Sequence, residues 1–236
     1  MTISITIPGA SFTNYVSNVE LPYIEDAVSF QLYGVDAASS VLNRTHNPTA
    51  NATLVGNPTY AANYATTSYT AGFDTGYLLD TPFTQVYIGR SASGGNSPIG
   101  RAPGGEAFVN MIQVISGAPN FTMRTWPNGV SGAALYPPAS DMTQFLTLGS
   151  RWGGTGTGSS IFYINASGLQ LSTDSDVTKT VTPTLNLRVG AGGNGTVGTW
   201  DVAATAFYGR VLTDTELREV HAYLKGLLAY RGVTIL

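Results

Sequence analysis

Residues 199–232 read TWDVAATAFYGRVLTDTELREVHAYLKGLLAYRG, and this stretch decides the fold. It opens with a strand-like run, Val202–Tyr208. Thr213 is followed three residues later by Glu216, the pattern of a capping box, in which each side chain accepts a hydrogen bond from a backbone N–H that the first helical turn leaves unpaired. Apolar residues then recur at spacings of three and four and predict one apolar stripe: Leu217, Val220, Leu224, Leu227 and Leu228.

The predicted helix covers about residues 214–231, and no other segment of the sequence predicts a helix convincingly. Glu216 and Glu219 lie near its positive end and Lys225 near its negative end, as the helix dipole favours. Gly232 suits the position just after the last helical turn. Because an amphipathic helix cannot bury its stripe alone, we expect it to dock on a surface that the rest of the chain builds.

The composition favours one ordered β domain. Of the 236 residues, 43% are hydrophobic and only 11% are charged, against about 25% charged in typical soluble proteins. The 28 glycines fit short strands joined by tight turns. The formal net charge is −3 and the basic residues are scattered, whereas a nucleic-acid binder has a clustered basic face. We therefore expect no nucleic-acid partner.

Other classes are disfavoured by what the sequence lacks. No apolar run approaches the roughly 20 residues of a membrane span, so we expect no membrane insertion. The first eight residues, MTISITIP, lack a basic n-region and alternate in polarity, so we expect no signal peptide and synthesis in a cytoplasm. Without cysteine, neither disulfides nor thiolate metal sites can form.

Strand-like runs separated by turn signals at about 8–15 residues indicate an all-β sandwich. Residues 1–20 are predicted as an N-terminal β arm or extension, either an edge strand or an arm that pairs with another subunit, and residues 21–236 as one domain. Residues 37–69 are predicted as irregular loops with short extended pieces, and the glycine-rich segments 91–105 and 149–156 as loops. The other strands are predicted at 27–33, 76–80, 83–90, 107–116, 120–126, 144–148, 160–165, 169–172, 184–189 and 200–208.

Several of these segments resemble one known superfamily. Phe207–Leu217, reading FYGRVLTDTEL, resembles the end of concanavalin A-like lectin/glucanase domains of the laminin-G or pentraxin type, in which the last jelly-roll strand runs into such a segment. Ile161–Gly168 is similar to the superfamily's strand and hairpin, and Leu187–Ala191 to its penultimate strand. Gly56–Thr59 and Pro82–Thr84 resemble a turn and a strand start of its first half.

The resemblance is good over residues 160–232, diffuse over 27–159 and absent over 1–20. It implies an all-β fold, a two-sheet antiparallel jelly-roll sandwich with one C-terminal amphipathic helix. Such domains are frequent in secreted lectins and in tail and capsid proteins of bacteriophages. A cysteine-free, lysine-poor chain rich in Gly, Thr and Asn resembles the bacteriophage setting, which is an argument from analogy.

Enzymatic chemistry finds little support in the sequence. Glycoside hydrolysis needs two carboxylates that flank one bond, and Glu25 and Asp26, being adjacent, would face opposite sides of a strand. His46 lies in a polar loop, and His221 is predicted as a packing residue at the edge of the helix stripe. Residues 190–195 match Gly-x-Gly-x-x-Gly but lead into a strand instead of the helix that a dinucleotide site needs. The sequence therefore predicts no enzyme.

Ligand candidates lie in the glycine-rich and turn segments. Asp174 and Asp176 are the best oxygen-ligand pair for Ca²⁺, but without a third carboxylate nearby a solvated turn is favoured, and we predict no metal and no cofactor. Sugar recognition uses aromatic rings and polar groups. On that basis the predicted glycan-binding residues are Trp152, Arg151, Trp126 and Asn128.

The leading prediction is a non-enzymatic structural virion protein, such as a capsid decoration, head-fibre or tail-fibre component, with a lectin-like fold. One alternative is the carbohydrate-recognition domain of a phage receptor-binding protein, and a second is a divergent glycan hydrolase. The predicted partners are other virion subunits, copies of the same chain in a homo-oligomer, and a host-surface glycan.

Overall fold

A computed structural model describes residues 20–46, 50–78, 82–93, 97–102, 109–115, 122–125, 133–153, 158–174, 186–191 and 198–236. The strands in these ranges are β1 (Ala27–Leu32), β2 (Thr53–Val55), β3 (Thr59–Tyr60), β4 (Ala65–Thr67), β5 (Gly72–Leu78), β6 (Phe83–Ser93), β7 (Ser97–Ala102), β8 (Val109–Ile115), β9 (Thr122–Thr125), β10 (Ala134–Leu135), β11 (Leu146–Trp152), β12 (Ser159–Asn165), β13 (Gly168–Asp174), β14 (Asn186–Gly190) and β15 (Thr199–Tyr208). The helices are α1 (Ala37–Ser40), α2 (Ala139–Met142) and α3 (Asp214–Tyr230), and a 3-10 turn spans Ile24–Asp26.

The strands form two sheets. The eight-stranded sheet A has the order β13-β12-β11-β6-β15-β4-β3, and β1 also pairs with β15. The seven-stranded sheet B has the order β10-β9-β8-β7-β14-β5-β2. The strand neighbours are antiparallel throughout. The predicted all-β sandwich with one long C-terminal helix is confirmed.

Sheet A is covered on both faces, which follows from the alternation of its strands. In β6, Tyr87 contributes to the core between the sheets, whereas its neighbours Val86 and Ile88 join the cluster that contains the helix stripe. Successive strand residues point to opposite faces, so a strand that is apolar at both parities needs two partner layers. The protein therefore has three layers, in the order sheet B, sheet A and α3.

Partway along strand β15, its even-numbered residues switch from the inter-sheet core to the side of the sheet that faces α3. Trp200 and Val202 belong to the inter-sheet core, but Ala204 and Ala206 lie in the helix-facing cluster. The pairing with β6 shifts between Val202 and Ala204, leaving Ala203 as an extra residue. Such a β-bulge exchanges the two faces of a strand, and this lets Phe207 return to the inter-sheet core.

The helix begins and ends through local interactions that the sequence predicts. The Glu216 N–H donates to Thr213 Oγ1 at 3.3 Å and the Thr213 N–H to Glu216 Oε2 at 2.6 Å, the reciprocal capping box. At the other end, Gly232 has φ +78°. The Val233 N–H donates to the Leu228 carbonyl and the Gly232 N–H to that of Ala229, both at 3.0 Å. This pair of bonds is a Schellman motif.

Arg210 ties the corner between β15 and α3 with charged contacts. Its Nε donates to Asp26 at 2.6 Å and its Nη2 to Glu216 at 2.8 Å. The Arg210 guanidinium and the Thr213 N–H together lower the pKa of Glu216 to about 2. The N-terminal capping carboxylate is therefore also half of an ion pair.

Two predicted loops are wrong where the structure describes strand residues in them, and in one of them the reason is the close packing around Gly149. Residues 149–152 belong to β11, and 91–93 and 97–102 belong to β6 and β7. A Cβ on Gly149 would lie 1.9 Å from the Gln85 carbonyl oxygen and 2.5 Å from the Phe162 ring. Glycine here permits the close approach of neighbouring groups within a strand, which its usual role as a turn residue conceals.

In the segment 37–69, predicted as irregular loops with short extended pieces, the strands β2, β3 and β4 are such extended pieces, and α1 adds one short helix that was not predicted. Asp36 caps α1 by accepting from the Ser39 N–H at 2.8 Å. Of the predicted N-terminal arm, residues 1–19 lie outside the described residues. Over the described ranges, no helix is long and apolar enough to span a bilayer.

Candidate functional site

A row of polar side chains crosses the end of sheet A beside the start of α3. Backbone register places Arg151 of β11 opposite Thr84 of β6 on one side and Ser160 of β12 on the other. Ser160 in turn lies opposite Thr173 of β13. Directly opposite residues on antiparallel strands project from the same face, so these four side chains form one line on the face that carries α3.

A surface pocket of about 410 Å³ opens along this row. Its described lining residues come from β11, β12, β13 and the connections β11–β12 and β15–α3: Arg151, Gly153, Gly158, Ser159, Ser160, Thr173 and Val211. Hydroxyl groups dominate the polar part, and the 39%-exposed Val211 supplies an apolar wall. We refer to this site as the Arg151 pocket.

The Arg151 side chain is fixed by three hydrogen bonds. Nη1 donates to the Leu212 carbonyl at 2.9 Å and to Asp214 Oδ1 at 2.8 Å, and Nε donates to Ser160 Oγ at 3.2 Å. The side chain is 11% exposed, whereas that of Asp214 is 48% exposed. A guanidinium held by both a carbonyl and a carboxylate is preorganised, so a ligand would not have to order it.

Ser160 shows how the pocket can hold a polyol. A hydroxyl has one donor and two acceptor sites, so Ser160 can accept from Arg151 and still donate to a ligand oxygen. Thr173, which is exposed, offers the same pair of functions one strand away. Binding sites for sugars combine such polar groups with apolar surface, and Val211 provides apolar surface here.

Trp152 does not lie in an exposed loop, and that prediction is wrong. It is the last residue of β11 and is only 1% exposed. Its ring packs in the inter-sheet core, because strand alternation turns it away from the face that carries Arg151. A ring in this position is not accessible to a ligand.

Of the other predicted ligand residues, the structure describes only Asp174. Trp126 and Asn128 lie outside the described residues, as does Asp176. Asp174 ends β13 and is not in a free turn. Among the described residues, no group of three His, Asp or Glu side chains could hold a metal ion. That this protein binds no metal, with Asp174 and Asp176 as the best candidate ligands for Ca²⁺, stays a prediction.

His221 is half-buried against sheet A, as expected of a packing residue. Its Nδ1 hydrogen-bonds Thr147 Oγ1 at 2.7 Å. Burial, assisted by the nearby Lys225 charge, lowers the pKa of its imidazole. Its contacts within the described structure are those of a residue that joins α3 to β11.

Sequence reasoning missed Ser160, Thr173 and Val211. Ser160 lies two residues from Phe162 in β12 and Thr173 two residues from Leu171 in β13, so each shares its strand face with an apolar residue and no polar pattern marks it in the sequence. Their alignment with Arg151 depends on the pairing of β11, β12 and β13, which no local pattern specifies. Val211 enters the pocket because the β15–α3 corner folds over this row.

No known protein family matches this sequence, and no curated protein matches it. Solved structures do match its fold. The botulinum neurotoxin serotype D binding domain has a TM-score of 0.60 and 11% identity, with 84% of this chain and 52% of that chain covered. The binding domain of botulinum neurotoxin DC in complex with SialylT has a TM-score of 0.59 and 9% identity, with 85% and 52% covered.

Trypanosoma rangeli sialidase matches with a TM-score of 0.59 and 15% identity, and 86% of this chain and 33% of that chain are covered. The chain thus spans about half or less of the proteins that it resembles. At these identities the likeness concerns the fold. The protein is a β-sandwich of the type found in these binding domains and in part of the sialidase.

Proposed function

We propose that this protein is a non-enzymatic, lectin-like glycan-binding module whose ligand site is the Arg151 pocket. The observation that carries the proposal is the line of Arg151, Ser160 and Thr173 across three strands beside the apolar Val211. A fixed cation and a row of hydroxyls suit a ligand with many hydroxyl groups. The occurrence of the same fold in binding domains, one of them in complex with SialylT, supports the proposal.

The pocket is better suited to binding than to hydrolysis. Glycosidases place two carboxyl groups on either side of the scissile bond, about 5–10 Å apart. The described lining residues include no carboxylate, and the neighbouring Asp214 is paired with Arg151 at 2.8 Å. Because part of a sialidase has a similar fold, hydrolysis of the bound glycan is tested directly.

The test is a glycan array with purified protein, followed by titration of the best-bound glycan against variants. Thr173→Val and Ser160→Ala each remove one hydroxyl from the row with little change in size. We expect each to weaken binding at least tenfold, about 1.4 kcal/mol. Thr53→Val is the matched control, because Thr53 is an exposed strand threonine of sheet B.

Failure to bind any glycan on the array would sink the proposal, and so would affinities that stay unchanged in both pocket variants. Release of reducing sugar from the bound glycan would show that the protein is a hydrolase instead. Trp152→Ala is unsuitable as a probe, since deleting a buried ring removes core packing and confuses binding with stability.

A second proposal concerns the setting. We propose that the module is a virion component, which the low charge content of 11%, the lack of cysteine and the abundance of Gly, Thr and Asn support by analogy with bacteriophage proteins of lectin-like fold. Mass spectrometry of purified virions tests it, and absence of the chain from them would refute it. Light scattering after size-exclusion chromatography would measure whether copies of the chain associate.

A further inference from the structure

Two arginines donate to backbone carbonyls of the turn that follows β1, at the C-terminal end of α3. Arg231 follows the last helical residue, and its Nη2 donates to the Tyr33 carbonyl at 2.7 Å. Arg44 reaches the same turn from the other side, where its Nη2 donates to the Ser39 carbonyl at 3.4 Å. Ser39 Oγ itself donates to the Gly34 carbonyl at 2.9 Å, so both guanidinium groups are bound to one short segment, Tyr33–Ser39.

Four arginines of the described structure have carboxylate partners, whereas Arg44 and Arg231 have none among the described residues. Arg218 also lacks one, but it is exposed and donates to the Asp214 carbonyl at 3.5 Å. The ion pairs are Arg90–Asp201 at 2.9 Å, Arg151–Asp214 at 2.8 Å, Arg188–Asp74 at 3.4 Å, and Arg210 with Asp26 at 2.6 Å and Glu216 at 2.8 Å. Arg44 and Arg231 have no acidic partner within ion-pair distance among the described residues. Burial lowers the pKa of both groups, and the positive charge of Arg44 lowers that of Arg231 further.

Each of the two arginines has a buried N–H group that finds no acceptor among the described residues. These groups are Arg44 Nε and Arg231 Nη1, and Thr45 Oγ1, in the residue after Arg44, is also buried without a partner among them. The Thr45 side chain belongs to a residue that is only 8% exposed. A buried N–H of a charged group that lacks an acceptor is destabilising, and two like charges brought together add to that cost. The internal contacts alone do not account for this arrangement.

We propose that Arg44 and Arg231 form a binding site for an oxoanion, either a sulfate or the carboxylate of an acidic saccharide. Such an anion supplies what both side chains lack, negative charge and acceptor oxygens. Guanidinium groups match carboxylate and sulfate oxygens because their N–H groups form a planar fork. Charge-assisted bonds of this kind are the stronger hydrogen bonds of proteins.

The site is separate from the Arg151 pocket. Arg151 bonds Asp214, the first residue of α3, whereas Arg231 follows its last. The 17 residues of the helix, at about 1.5 Å each, separate the two sites by about 25 Å. The proposal therefore does not depend on glycan binding at the pocket.

Isothermal titration with sodium sulfate, sodium glucuronate and neutral glucose tests the site, with ionic strength held constant by sodium chloride. We expect sulfate or glucuronate to bind and glucose not to bind at this site. Arg44→Gln and Arg231→Gln should each weaken anion binding at least tenfold. Arg218→Gln is the matched control, because Arg218 is an exposed arginine of the same helix, and it should bind like the wild type.

The variants also separate this proposal from the previous one. Ser160→Ala alters the Arg151 pocket and should leave anion binding unchanged. Glucuronate binding without sulfate binding would support a saccharide site, and equal binding of both would support a general oxoanion site. No heat of binding for either anion up to tens of millimolar, or equal affinity in all arginine variants, would overturn the proposal.

A crystal grown in selenate gives a readout that does not depend on how stable the variants are. We expect an anomalous selenium peak within hydrogen-bond distance of both guanidinium groups. Selenate bound at other arginines but not at Arg44 and Arg231 would refute the assignment. A water molecule between the two side chains at saturating selenate would do the same.

Discussion

Replacing Leu224 by Ala tests whether α3 is a structural layer of the sandwich. Leu224 is fully buried and packs in the cluster that joins the helix stripe to the outer face of sheet A. If this contact stabilises the fold, its loss should lower the free energy of unfolding of the whole protein. If α3 were only loosely attached, the helix would fray and the sheets would keep their stability.

The magnitude follows from the atoms removed. The change deletes three carbon atoms, and at about 0.8 kcal/mol per buried methylene this costs about 2.4 kcal/mol. The cavity left between α3 and sheet A adds to that figure, because the surrounding strands relax only in part. Leu→Ala changes at buried sites cost about 2–5 kcal/mol, so we expect about 3 kcal/mol.

Urea unfolding followed by tryptophan fluorescence measures this loss, because Trp152 and Trp200 are buried and report on the inter-sheet core. Leu227→Ala is the matched control, since it makes the same chemical change on the same helix at a half-buried position. It should cost clearly less. A loss below about 1 kcal/mol for Leu224→Ala, or equal losses for both variants, would refute the three-layer reasoning.

Three further changes test single features. Gly232→Ala should cost about 1 kcal/mol in thermal unfolding, since φ +78° strains any L side chain, and an unchanged melting temperature would contradict this. Gly89→Ala should cost more, at least about 1–3 kcal/mol, because its Cβ would lie 2.2 Å from Trp200 Nε1; wild-type stability would be the contrary result. Arg210 is the main cause that lowers the pKa of Glu216 to about 2. The ionised Glu216 therefore stabilises the folded state fully above about pH 4.5, and this stabilisation is lost as the pH falls towards 2. Glu216→Gln should therefore be less stable than wild type at pH 6 and equal to it near pH 2, and a gap independent of pH would exclude the ion pair.

The parts of the fold that the sequence predicts are those held by local interactions. The capping box of Thr213 and Glu216 links residues three apart, and Gly232 ends the helix through bonds to the preceding turn. Both are legible in a single segment, and both are found in the structure. The apolar run Val86–Tyr87–Ile88 of β6 is also visible in the sequence, but it indicates the third layer only once the helix is known to dock on that sheet.

The parts that could not be predicted depend on distant contacts. In the sequence Gly149 suggests a loop, because its close contact with the Gln85 carbonyl is visible only in the structure. The wrong loop prediction led to the wrong prediction that Trp152 is exposed. Arg151 was a predicted ligand residue, but its neighbours Ser160 and Thr173 depend on strand register. Arg44 and Arg231 both donate to the Tyr33–Ser39 segment although they lie far apart in the chain, so no spacing in the sequence predicts it.

The covering of sheet A by α3 has a consequence for ligand geometry. Because α3 covers the outer face of sheet A, the Arg151 pocket lies at the start of the helix and the Arg44–Arg231 site at its end. The length of the helix therefore sets the distance between the two sites. A monosaccharide can occupy one end at a time, so small probes should titrate the two ends independently. A saccharide chain longer than about 25 Å can bind both sites at once, and the effective concentration of its second end then governs the second binding event. The affinity should therefore rise sharply once the saccharide is about as long as α3.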